Sequence, residues 1–270
     1  MLDKYAVIGN PIAHSKSPLI HQAFAQQTGQ EVSYERVLAP LDGFSAIIRE
    51  LIAQGYKGVN VTVPFKFEAF QVANVHVGRS LEAGAANTLT FNQEGIVADN
   101  TDGAGLVRDI ERNWQVNIAG KRVLLIGAGG AAEGVLHPIL ECKPSALVIA
   151  NRSLGKALAM VKKIEAPVTS LSGCMFDDLV NQSFDIVINA TSAGLTDTAL
   201  PIVSSIFAEN CLAYDMMYGR ETPFMAQARV AGAQVADGLG MLVEQAAEAF
   251  YLWRGVRPET KPVMAMIRAL

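Results

Sequence analysis

The chain alternates short apolar runs with segments in which apolar residues recur at helical spacing. In the first hundred residues, apolar runs predict strands at Tyr5–Ile8, Ser33–Leu38 and Val59–Val63. Helical spacing predicts helices at Ser17–Gly29 and Asp42–Gln54. Ser17 before Pro18 is a typical cap for the first helix, and Asp42 and Gly55 are typical start and stop signals for the second. Two further runs, Thr88–Phe91 and Gly95–Ala98, are separated by three polar residues and predict a β-hairpin.

The second half of the chain has a more regular alternation. A helix is predicted over Asp102–Trp114, and strands at 122–126, 146–150, 167–171, 185–189, 211–215 and 233–236. Helices over about 130–140 and 153–164 separate the first of these strands, which predicts a parallel sheet covered on both faces. A long amphipathic helix over 239–254 and a shorter one from Pro258 end the pattern.

We therefore predict an α/β protein of two domains. At 270 residues, half of them hydrophobic, the chain exceeds the size at which one core stops growing. The first domain takes residues 1–102, and the helices within 238–270 pack back on it and complete it. Residues 103–237 form the doubly wound domain.

Composition indicates a small-molecule partner. The 22 basic and 26 acidic residues form no long block, so neither a nucleic-acid surface nor a membrane surface is indicated. No apolar run reaches the roughly 20 residues of a membrane span, and the N-terminal run is too short for a signal peptide. The cysteines Cys142, Cys174 and Cys211 have no metal-ligand spacing. We expect a reduced cytoplasmic protein, without a metal, that is a monomer or a homodimer.

A glycine-rich turn follows the predicted strand 122–126. The letters GAGGAA at 127–132 fit G-x-G-x-x-A between a strand and a helix. Gly127 permits the tight turn, Gly129 lets the backbone approach a pyrophosphate, and Ala132 lets the helix pack closely. The free N–H groups of the helix start would bind phosphate. This arrangement predicts a Rossmann-type dinucleotide-binding domain rather than a merely tight turn.

The end of the next strand distinguishes between the two nicotinamide cofactors. An NAD site usually carries an acidic residue there, but this strand runs into Asn151-Arg152-Ser153, with Lys156 one turn later. Arg152 offers a planar fork for a 2′-phosphate and Lys156 a second cation. NADP is therefore predicted. Thr191, within the segment Asn189–Gly194 after another strand, also falls where a cofactor would lie, although a Ser/Thr turn explains it nearly as well.

Polar residues in the first domain fall at strand ends or in the loops that follow. These are Ser15, Ser17, Asn60, Thr62, Lys66, Asn87 and Asp102. Each taken singly also has a structural explanation, such as helix capping by Ser17 or Asp102. Together they supply hydroxyl and amide groups with only two opposite charges, which suits a small polyhydroxylated substrate. Lys66 beside Asp102 would relay a proton as a carbonyl and an alcohol interconvert.

The order of these motifs resembles the shikimate/quinate dehydrogenase family, and shikimate dehydrogenases in particular. The segments that carry the resemblance are NPIAHSKSP, NVTVPFK, GAANT, DNTDGAGL, GAGGAA, NRS, NATSAG, YDMMYGRETP and DGLGMLVEQAA. The resemblance spans nearly the whole chain. It implies a substrate domain and an NADP domain with a cleft between them, and reversible reduction of 3-dehydroshikimate to shikimate in chorismate and aromatic amino acid biosynthesis.

The resemblance also implies roles for individual residues. Lys66 and Asp102 are similar to the catalytic pair of the family. The implied substrate ligands are Ser15, Ser17, Asn60, Thr62, Lys66, Asn87, Asp102, Tyr218 and Gln245. The implied cofactor contacts are Gly127, Ala128, Gly129, Gly130, Ala131, Asn151, Arg152, Ser153, Lys156, Thr191, Met216 and Gly238. Members of the family often have threonine at the position of Ser153 and arginine at that of Lys156, and both departures bear on cofactor affinity.

Three other interpretations are open from the sequence. A quinate/shikimate dehydrogenase of the same family would accept a broader substrate or NAD. A methylenetetrahydrofolate dehydrogenase shares the two-domain plan but needs an aromatic platform for its pterin, whereas these segments are rich in hydroxyls and amides. A nucleotide-sensing module without turnover would not need both Lys66 and Asp102.

Overall fold

The structure is a computed structural model that describes residues 2–165, 168–191, 193 and 198–270. The chain divides into two compact units, which we call unit 1 (Met1–Gly105 with Leu242–Leu270) and unit 2 (Leu106–Met241). Residue 167 of one predicted strand, and Ser192 and Gly194 of the predicted cofactor segment, lie outside the described residues.

Unit 1 contains a mixed sheet with helices. Its elements up to residue 99 are β1 (Asp3–Gly9), α1 (Ser17–Thr28), β2 (Val32–Leu38), α2 (Phe44–Ala53), β3 (Tyr56–Val61), α3 (Lys66–Val72), β4 (Val75–His76), α4 (Gly78–Ala83), β5 (Thr88–Asn92) and β6 (Gly95–Asp99). Among the described residues the strand order is β2-β1-β3-β5-β6-β4. Strands β1, β2 and β3 are parallel, whereas β5 is antiparallel to β3 and to β6.

The apolar pattern of unit 1 explains its core. Helix α2 buries Phe44, Ile48 and Leu51 at helical spacing, and these side chains pack with Val59 and Leu89 from the sheet. The predicted hairpin is confirmed as β5 and β6, with Thr88 opposite Asp99.

Unit 2 contains a parallel sheet covered by helices. Helix α5 (Asp102–Arg108) crosses from unit 1 and continues into a π-helical turn, Asp109–Asn113. The elements that follow in unit 2 are β7 (Arg122–Ile126), α6 (Gly130–Glu141), β8 (Ala146–Ala150), α7 (Leu154–Lys162), β9 (Ser170–Cys174), β10 (Phe184–Asn189), β11 (Phe207–Asp215), α8 (Pro223–Val230) and β12 (Gln234–Ala236). Helix α9 (Leu239–Arg254) begins in unit 2 and continues into unit 1, and α10 (Lys261–Arg268) belongs to unit 1.

The strand order of unit 2 defines its class. In the described residues it is β9-β8-β7-β10-β11-β12, all parallel, which is the doubly wound order 3-2-1-4-5-6 of dinucleotide-binding sheets. The central strand β7 is apolar and buried from residue 123 to residue 126, because both of its faces are covered there. Val123 and Leu125 enter one core, and Leu124 and Ile126 enter the other.

Several predicted boundaries were wrong. Helix α2 begins at Phe44 after Gly43 and has no side-chain cap, so Asp42 does not start it. Ser17 is the first residue of α1 rather than its cap, and its N–H donates instead to Oγ of Ser15 at 3.3 Å. The predicted strand 167–171 is Ser170–Cys174, which pairs with β8 in register.

Other elements were shifted or not predicted. Strand β3 is Tyr56–Val61 rather than Val59–Val63, because the chain turns at Thr62. The last helix begins at Lys261 rather than Pro258. The helices α3 and α8 were not predicted, since each is short and begins beside a proline-containing turn.

Candidate active site

A lysine and an aspartate from separate segments of unit 1 form an ion pair. Nζ of Lys66 donates to Oδ2 of Asp102 at 2.5 Å, and the two side chains keep only 25% and 14% of their surface exposed. Lys66 is the first residue of α3 and Asp102 the first of α5. The main-chain carbonyl of Lys66 also accepts the N–H of Ala86 at 2.9 Å, which fixes the segment before Asn87 beside the lysine. An ammonium held in this way can give a proton to a bound oxygen.

Asn87 contacts the same carboxylate, and Gln245 contacts Asn87. Nδ2 of Asn87 donates to Oδ1 of Asp102 at 2.8 Å, to Oγ1 of Thr101 at 3.0 Å and to Oε1 of Gln245 at 3.3 Å. Gln245 lies on α9, where its own amide donates to the carbonyl of Leu242 at 2.8 Å. The structure therefore brings together four of the predicted residues, Lys66, Asn87, Asp102 and Gln245, although they are far apart in the chain.

Ser15, Ser17 and Thr62 follow the carboxyl ends of neighbouring parallel strands. The hydroxyl of Ser15 donates to that of Ser17 at 3.2 Å, in the loop after β1. Arg36, on β2, donates twice to the carbonyl of Ser15, at 2.9 and 2.6 Å, and holds that loop. Thr62, after β3, donates its N–H to the carbonyl of Ile8 at 2.9 Å. These hydroxyls lie at the edge of the sheet from which α3 and Lys66 begin.

Asn60 is held by other protein groups. It lies on β3, almost fully buried, and its Oδ1 accepts the hydroxyl of Tyr34 at 2.7 Å. Its Nδ2 donates to Oγ1 of Thr88 at 3.0 Å and to the carbonyl of Asn87 at 3.3 Å. These two bonds use both N–H groups of the Asn60 amide. Asn60 is therefore better placed to hold Asn87 than to donate a hydrogen bond to a ligand.

The glycine loop of unit 2 has the shape that a dinucleotide requires. Gly127 has φ of 113°, a conformation that strains any other residue, and a β-carbon there would crowd the carbonyl oxygen of Ala190 at 3.2 Å. A β-carbon on Gly129 would contact nothing within 4 Å, which leaves the backbone open to a ligand. Ala128 and Ala131 flank this turn, and α6 begins at Gly130. The 12-residue helix thus presents its free N–H groups beside an open backbone.

Two cations lie exposed at the end of β8. The side chains of Arg152 and Lys156 form no hydrogen bond or ion pair with other residues in the described part of the chain. Asn151 donates its Nδ2 to the carbonyl of Ser153 at 3.1 Å, and Ser153 is the N-cap of α7. An unpaired guanidinium and ammonium at this strand end, without a carboxylate in the segment 151–156, fit the 2′-phosphate of NADP.

The remaining predicted cofactor residues lie at the carboxyl ends of β10, β11 and β12. Thr191 donates its hydroxyl to Oδ1 of Asn189 at 2.8 Å, and Met216 donates its N–H to the carbonyl of Asn189 at 3.0 Å. Gly238 donates its N–H to the carbonyl of Met217, and a β-carbon on Gly238 would lie 2.2 Å from the oxygen of Met216. These contacts place Thr191, Met216 and Gly238 at one edge of the unit 2 sheet.

Tyr218 is a predicted substrate ligand that lies in unit 2, not in unit 1. It follows β11, and burial raises the pKa of its phenol above the ordinary value. The phenol is therefore a neutral hydrogen-bond donor and acceptor at neutral pH.

Sequence reasoning missed supporting residues around both sites. In unit 2, Oδ2 of the fully buried Asp215 accepts Nδ2 of Asn189 at 3.1 Å and the hydroxyl of Thr222 at 2.6 Å. Burial raises the pKa of Asp215 despite these bonds. In unit 1, Tyr34 and Thr88 support Asn60 and Asn87. Thr88 could have been found from the sequence, because it is the last residue of the GAANT segment. No motif in the sequence includes Tyr34.

The cysteines and acidic groups indicate no further chemistry. Burial raises the pKa of Cys142 and of Cys174 to about 11, and that of Cys211 to about 12, so the thiols are protonated at neutral pH. Among the described residues, no group of three or more His, Cys, Asp or Glu side chains could hold a metal ion. None of the helices in the described ranges has the length and apolar character needed to cross a membrane.

Comparison with known families matches successive parts of the chain. The profile of the shikimate dehydrogenase substrate binding domain matches residues 7–89, that of shikimate / quinate 5-dehydrogenase matches 109–206, and that of the shikimate 5'-dehydrogenase C-terminal domain matches 238–268. The chain is 63% identical to a shikimate dehydrogenase (NADP(+)) of Methylobacillus flagellatus, with 99% of this chain and all of that protein covered. It is 56% identical to one of Dechloromonas aromatica, with 100% and 98% covered.

Two solved structures are similar to this chain over nearly its full length. An Ael1 enzyme from Pseudomonas putida is 48% identical, with a TM-score of 0.93 and coverage of 98% of this chain and 97% of that one. Shikimate 5-dehydrogenase from Thermus thermophilus, in complex with NADP(H) and shikimate, is 30% identical with a TM-score of 0.88, and each chain is fully covered.

The mixed sheet of unit 1 and the doubly wound sheet of unit 2 define the class of two-domain α/β dehydrogenases, which confirms the predicted fold class. Within that class, full-length identity of 63% decides the family. The chain belongs to the shikimate dehydrogenase family.

Proposed function

We propose that this protein catalyses the reversible NADPH-dependent reduction of 3-dehydroshikimate to shikimate, a step of chorismate and aromatic amino acid biosynthesis. The observation that carries the proposal is the ion pair between Lys66 and Asp102, with Asn87 on the other carboxylate oxygen. The relatives that share the full length of the chain bear the name of this activity.

Lys66 supplies the proton of the reaction. In the reductive direction, the carbonyl carbon of 3-dehydroshikimate gains a hydride, and the carbonyl oxygen takes a proton from Nζ of Lys66. Asp102 holds the ammonium at 2.5 Å and orients a substrate hydroxyl. In the oxidative direction Lys66 accepts the proton of the alcohol. Positioning of the lysine matters here because a proton donor is effective only within hydrogen-bond reach of its acceptor.

The other polar groups of unit 1 bind the substrate. Ser15, Ser17, Thr62, Asn87 and Gln245 offer hydroxyls and amides to the ring hydroxyls and the carboxylate of shikimate. Tyr218 stays a predicted substrate ligand. Asn60 acts mainly by holding Asn87, since its own N–H groups are already donated. The group is rich in neutral donors, which suits a polyhydroxylated acid better than a large aromatic substrate.

Unit 2 holds NADP. The turn Gly127–Ala131 binds the pyrophosphate, with Gly129 open to it, and Arg152 and Lys156 bind the 2′-phosphate beside Asn151 and Ser153. Thr191, Met216 and Gly238 lie at the edge of the sheet where the nicotinamide half of a dinucleotide binds. When bound, the nicotinamide supplies or accepts the hydride.

Use of quinate is a second candidate, because one matching profile describes both shikimate and quinate 5-dehydrogenases. Arg152 and Lys156 disfavour NAD as the cofactor for either acid, since both cations would then lack the phosphate. Location in the reducing cytoplasm, and a monomeric or homodimeric state, stay predictions.

An absorbance assay at the reduced-nicotinamide band tests the proposal. The purified protein is given shikimate or quinate with NADP+ or NAD+ in the four combinations. We expect the highest kcat/KM with shikimate and NADP+. Absence of turnover with shikimate and either cofactor would refute the function, and a higher kcat/KM with quinate or NAD+ would favour the second candidate.

A further inference from the structure

We infer that Thr88 and Tyr34 are positioning residues, which set the orientation of the Asn87 amide through a directed chain of hydrogen bonds. The chain runs from Tyr34 to Asn60, to Thr88, to Asn87 and to Asp102. It rests on the proposed function, because Asn87 and Asp102 are placed in the site that binds shikimate.

The orientation of Asn87 is fixed by groups whose roles cannot be exchanged. The main-chain N–H of Thr101 can only donate, and it lies 2.8 Å from the side-chain oxygen of Asn87. The carboxylate of Asp102 accepts, and it lies 2.8 Å from the side-chain nitrogen. Asn87 thus receives hydrogen bonds at its oxygen and gives them at its nitrogen.

The hydroxyl of Thr88 lies near two oxygens, Oγ1 of Thr101 at 3.4 Å and the side-chain oxygen of Asn87 at 2.9 Å. The oxygen of Asn87 is closer and can only accept, so the hydroxyl of Thr88 donates to it. Toward Asn60 the same hydroxyl oxygen can then only accept, and it accepts from Nδ2 of Asn60 at 3.0 Å. The same nitrogen of Asn60 lies 3.3 Å from the main-chain carbonyl of Asn87, which can only accept, and this contact independently fixes the amide of Asn60.

Tyr34 ends the chain on the side away from Asp102. Because the nitrogen of Asn60 faces Thr88, its oxygen faces Tyr34, and the phenol donates to it at 2.7 Å. Burial raises the pKa of Tyr34 well above its ordinary value, so the phenol keeps its proton. The ring of His21 stacks on that of Tyr34 with centroids 4.1 Å apart and planes 6° apart, and burial lowers the pKa of His21 to about 3. The phenol is therefore protonated, and its ring packs against the neutral ring of His21.

The middle links of the chain, from Asn60 to Asn87, are shielded from water. Thr88 and Thr101 are fully buried, and Asn60 and Asn87 are 6% and 3% exposed. Buried hydrogen bonds in a network depend on one another, and a lost donor is not replaced by solvent. Removal of the Thr88 hydroxyl therefore leaves Asn60 and Asn87 each without one partner, at the residue that contacts both Asp102 and Gln245.

The test compares Thr88→Val with Thr88→Ser. Valine keeps the shape and β-strand preference of threonine but lacks the hydroxyl, whereas serine keeps the hydroxyl. We expect Thr88→Val to lower kcat/KM for shikimate by about tenfold, which corresponds to a buried hydrogen bond. We expect its KM for NADP+ to be unchanged, and Thr88→Ser to stay close to the wild type.

Tyr34→Phe extends the test to the far end of the chain of bonds. Alone it should lower kcat/KM for shikimate by about threefold. In a Thr88→Val background the further loss should be smaller than the loss that Tyr34→Phe causes alone, because the link to Asn87 is already cut and only the interaction of the Tyr34 hydroxyl with Ser17 is left to lose. Independent sites would instead give multiplied effects. All rates are measured at a temperature where circular dichroism shows each variant folded.

Two kinetic results would overturn the inference: unchanged kcat/KM in folded Thr88→Val, or multiplied losses in the double variant. A measurement that does not require turnover distinguishes failure of this inference from failure of the proposed function. The side-chain amide protons of Asn87, followed by NMR, should exchange slowly with solvent in the wild type and in Thr88→Ser, and faster in Thr88→Val. Equal exchange in the three proteins would also overturn the inference, whether or not shikimate is turned over.

Discussion

Lys66 and Asn87 bind opposite oxygens of one carboxylate. Nζ of Lys66 donates to Oδ2 of Asp102 at 2.5 Å, and Nδ2 of Asn87 donates to Oδ1 at 2.8 Å. The carboxylate therefore fixes the direction of a proton donor and of an amide at the same time. The three residues come from different elements, α3, the segment before β5, and α5, so the proposed site depends on the packing of unit 1.

Replacement of Lys66 by alanine tests the catalytic assignment. The variant loses the proton donor, and we expect kcat with shikimate and NADP+ to fall by roughly 10²–10⁴-fold. Lys57→Ala is the matched control, since Lys57 is an exposed lysine on the same strand that leads to Lys66. Steady-state kinetics of both variants make the measurement. Near-normal kcat in Lys66→Ala would rule out the catalytic role.

Arg152→Ala tests the preference for NADP. Loss of a hydrogen bond to a charged group should raise KM for NADP+ by at least about tenfold, while KM for NAD+ stays unchanged because NAD has no 2′-phosphate. Lys162→Ala, at the other end of α7, is the control for a general loss of positive charge. A parallel rise for both cofactors in Arg152→Ala would contradict a role in phosphate recognition.

Replacement by alanine should affect the stability of the protein at one glycine of unit 2 and its NADP+ binding at another. A β-carbon on Gly129 contacts nothing within 4 Å, so Gly129→Ala should change the free energy of unfolding by less than about 0.5 kcal/mol and yet weaken NADP+ binding. A β-carbon on Gly238 would lie 2.2 Å from the carbonyl oxygen of Met216, so Gly238→Ala should destabilise by about 1–3 kcal/mol. Urea unfolding and NADP+ titration distinguish the two. Equal unfolding midpoints would be inconsistent with the close contact at Gly238.

Arg79 joins two segments of unit 1 that carry site residues. It donates to both oxygens of Asp99, at 2.9 and 2.6 Å, and to Glu248 at 2.9 Å, and Arg257 also donates to Glu248, at 2.6 Å. Glu248→Gln removes one charge from this partly buried cluster. We expect a loss of about 1–2 kcal/mol in the free energy of unfolding at pH 7, below the value for a fully buried pair.

That loss should depend on pH. Burial alone would raise the pKa of Glu248, but the hydrogen bonds and charges of Arg79 and Arg257 outweigh it, and the pKa lies below its ordinary value of 4.5. A lowered pKa stabilises the folded state fully above the ordinary value, and this contribution disappears as the pH falls through the lowered pKa. The difference between wild type and Glu248→Gln in urea unfolding should therefore shrink below pH 4.5. A difference that is constant with pH would refute the assignment.

Local patterns were enough for the regular elements. The apolar run 123–126 and the glycines after it predicted β7 and the start of α6, because a parallel strand covered on both faces has to be apolar and the turn requires glycine. Helix caps were predicted less well. Asp42 and Ser17 had the right residue types, but Gly43 and Lys16 occupy the cap positions, since tertiary contacts decide where a helix begins.

Short elements could not be predicted from periodicity. Helix α3 spans only Lys66–Val72, too few residues for a helical repeat to be distinguished from a loop, although it carries the proposed catalytic lysine. The motif around Lys66 was visible in the sequence, whereas the helix that orients it was not.

The sequence alone determined the chemical groups available to this protein and the order of its longer strands and helices, because residue type and apolar spacing are local properties of the chain. Only the tertiary structure decided which of those groups meet. The contact of Asn87 with Gln245, 158 positions away, and of Tyr34 with Asn60 depends on strand pairing and on the return of α9 to unit 1. The direction of each hydrogen bond then follows from which donor faces which acceptor, and that is a property of the packed molecule.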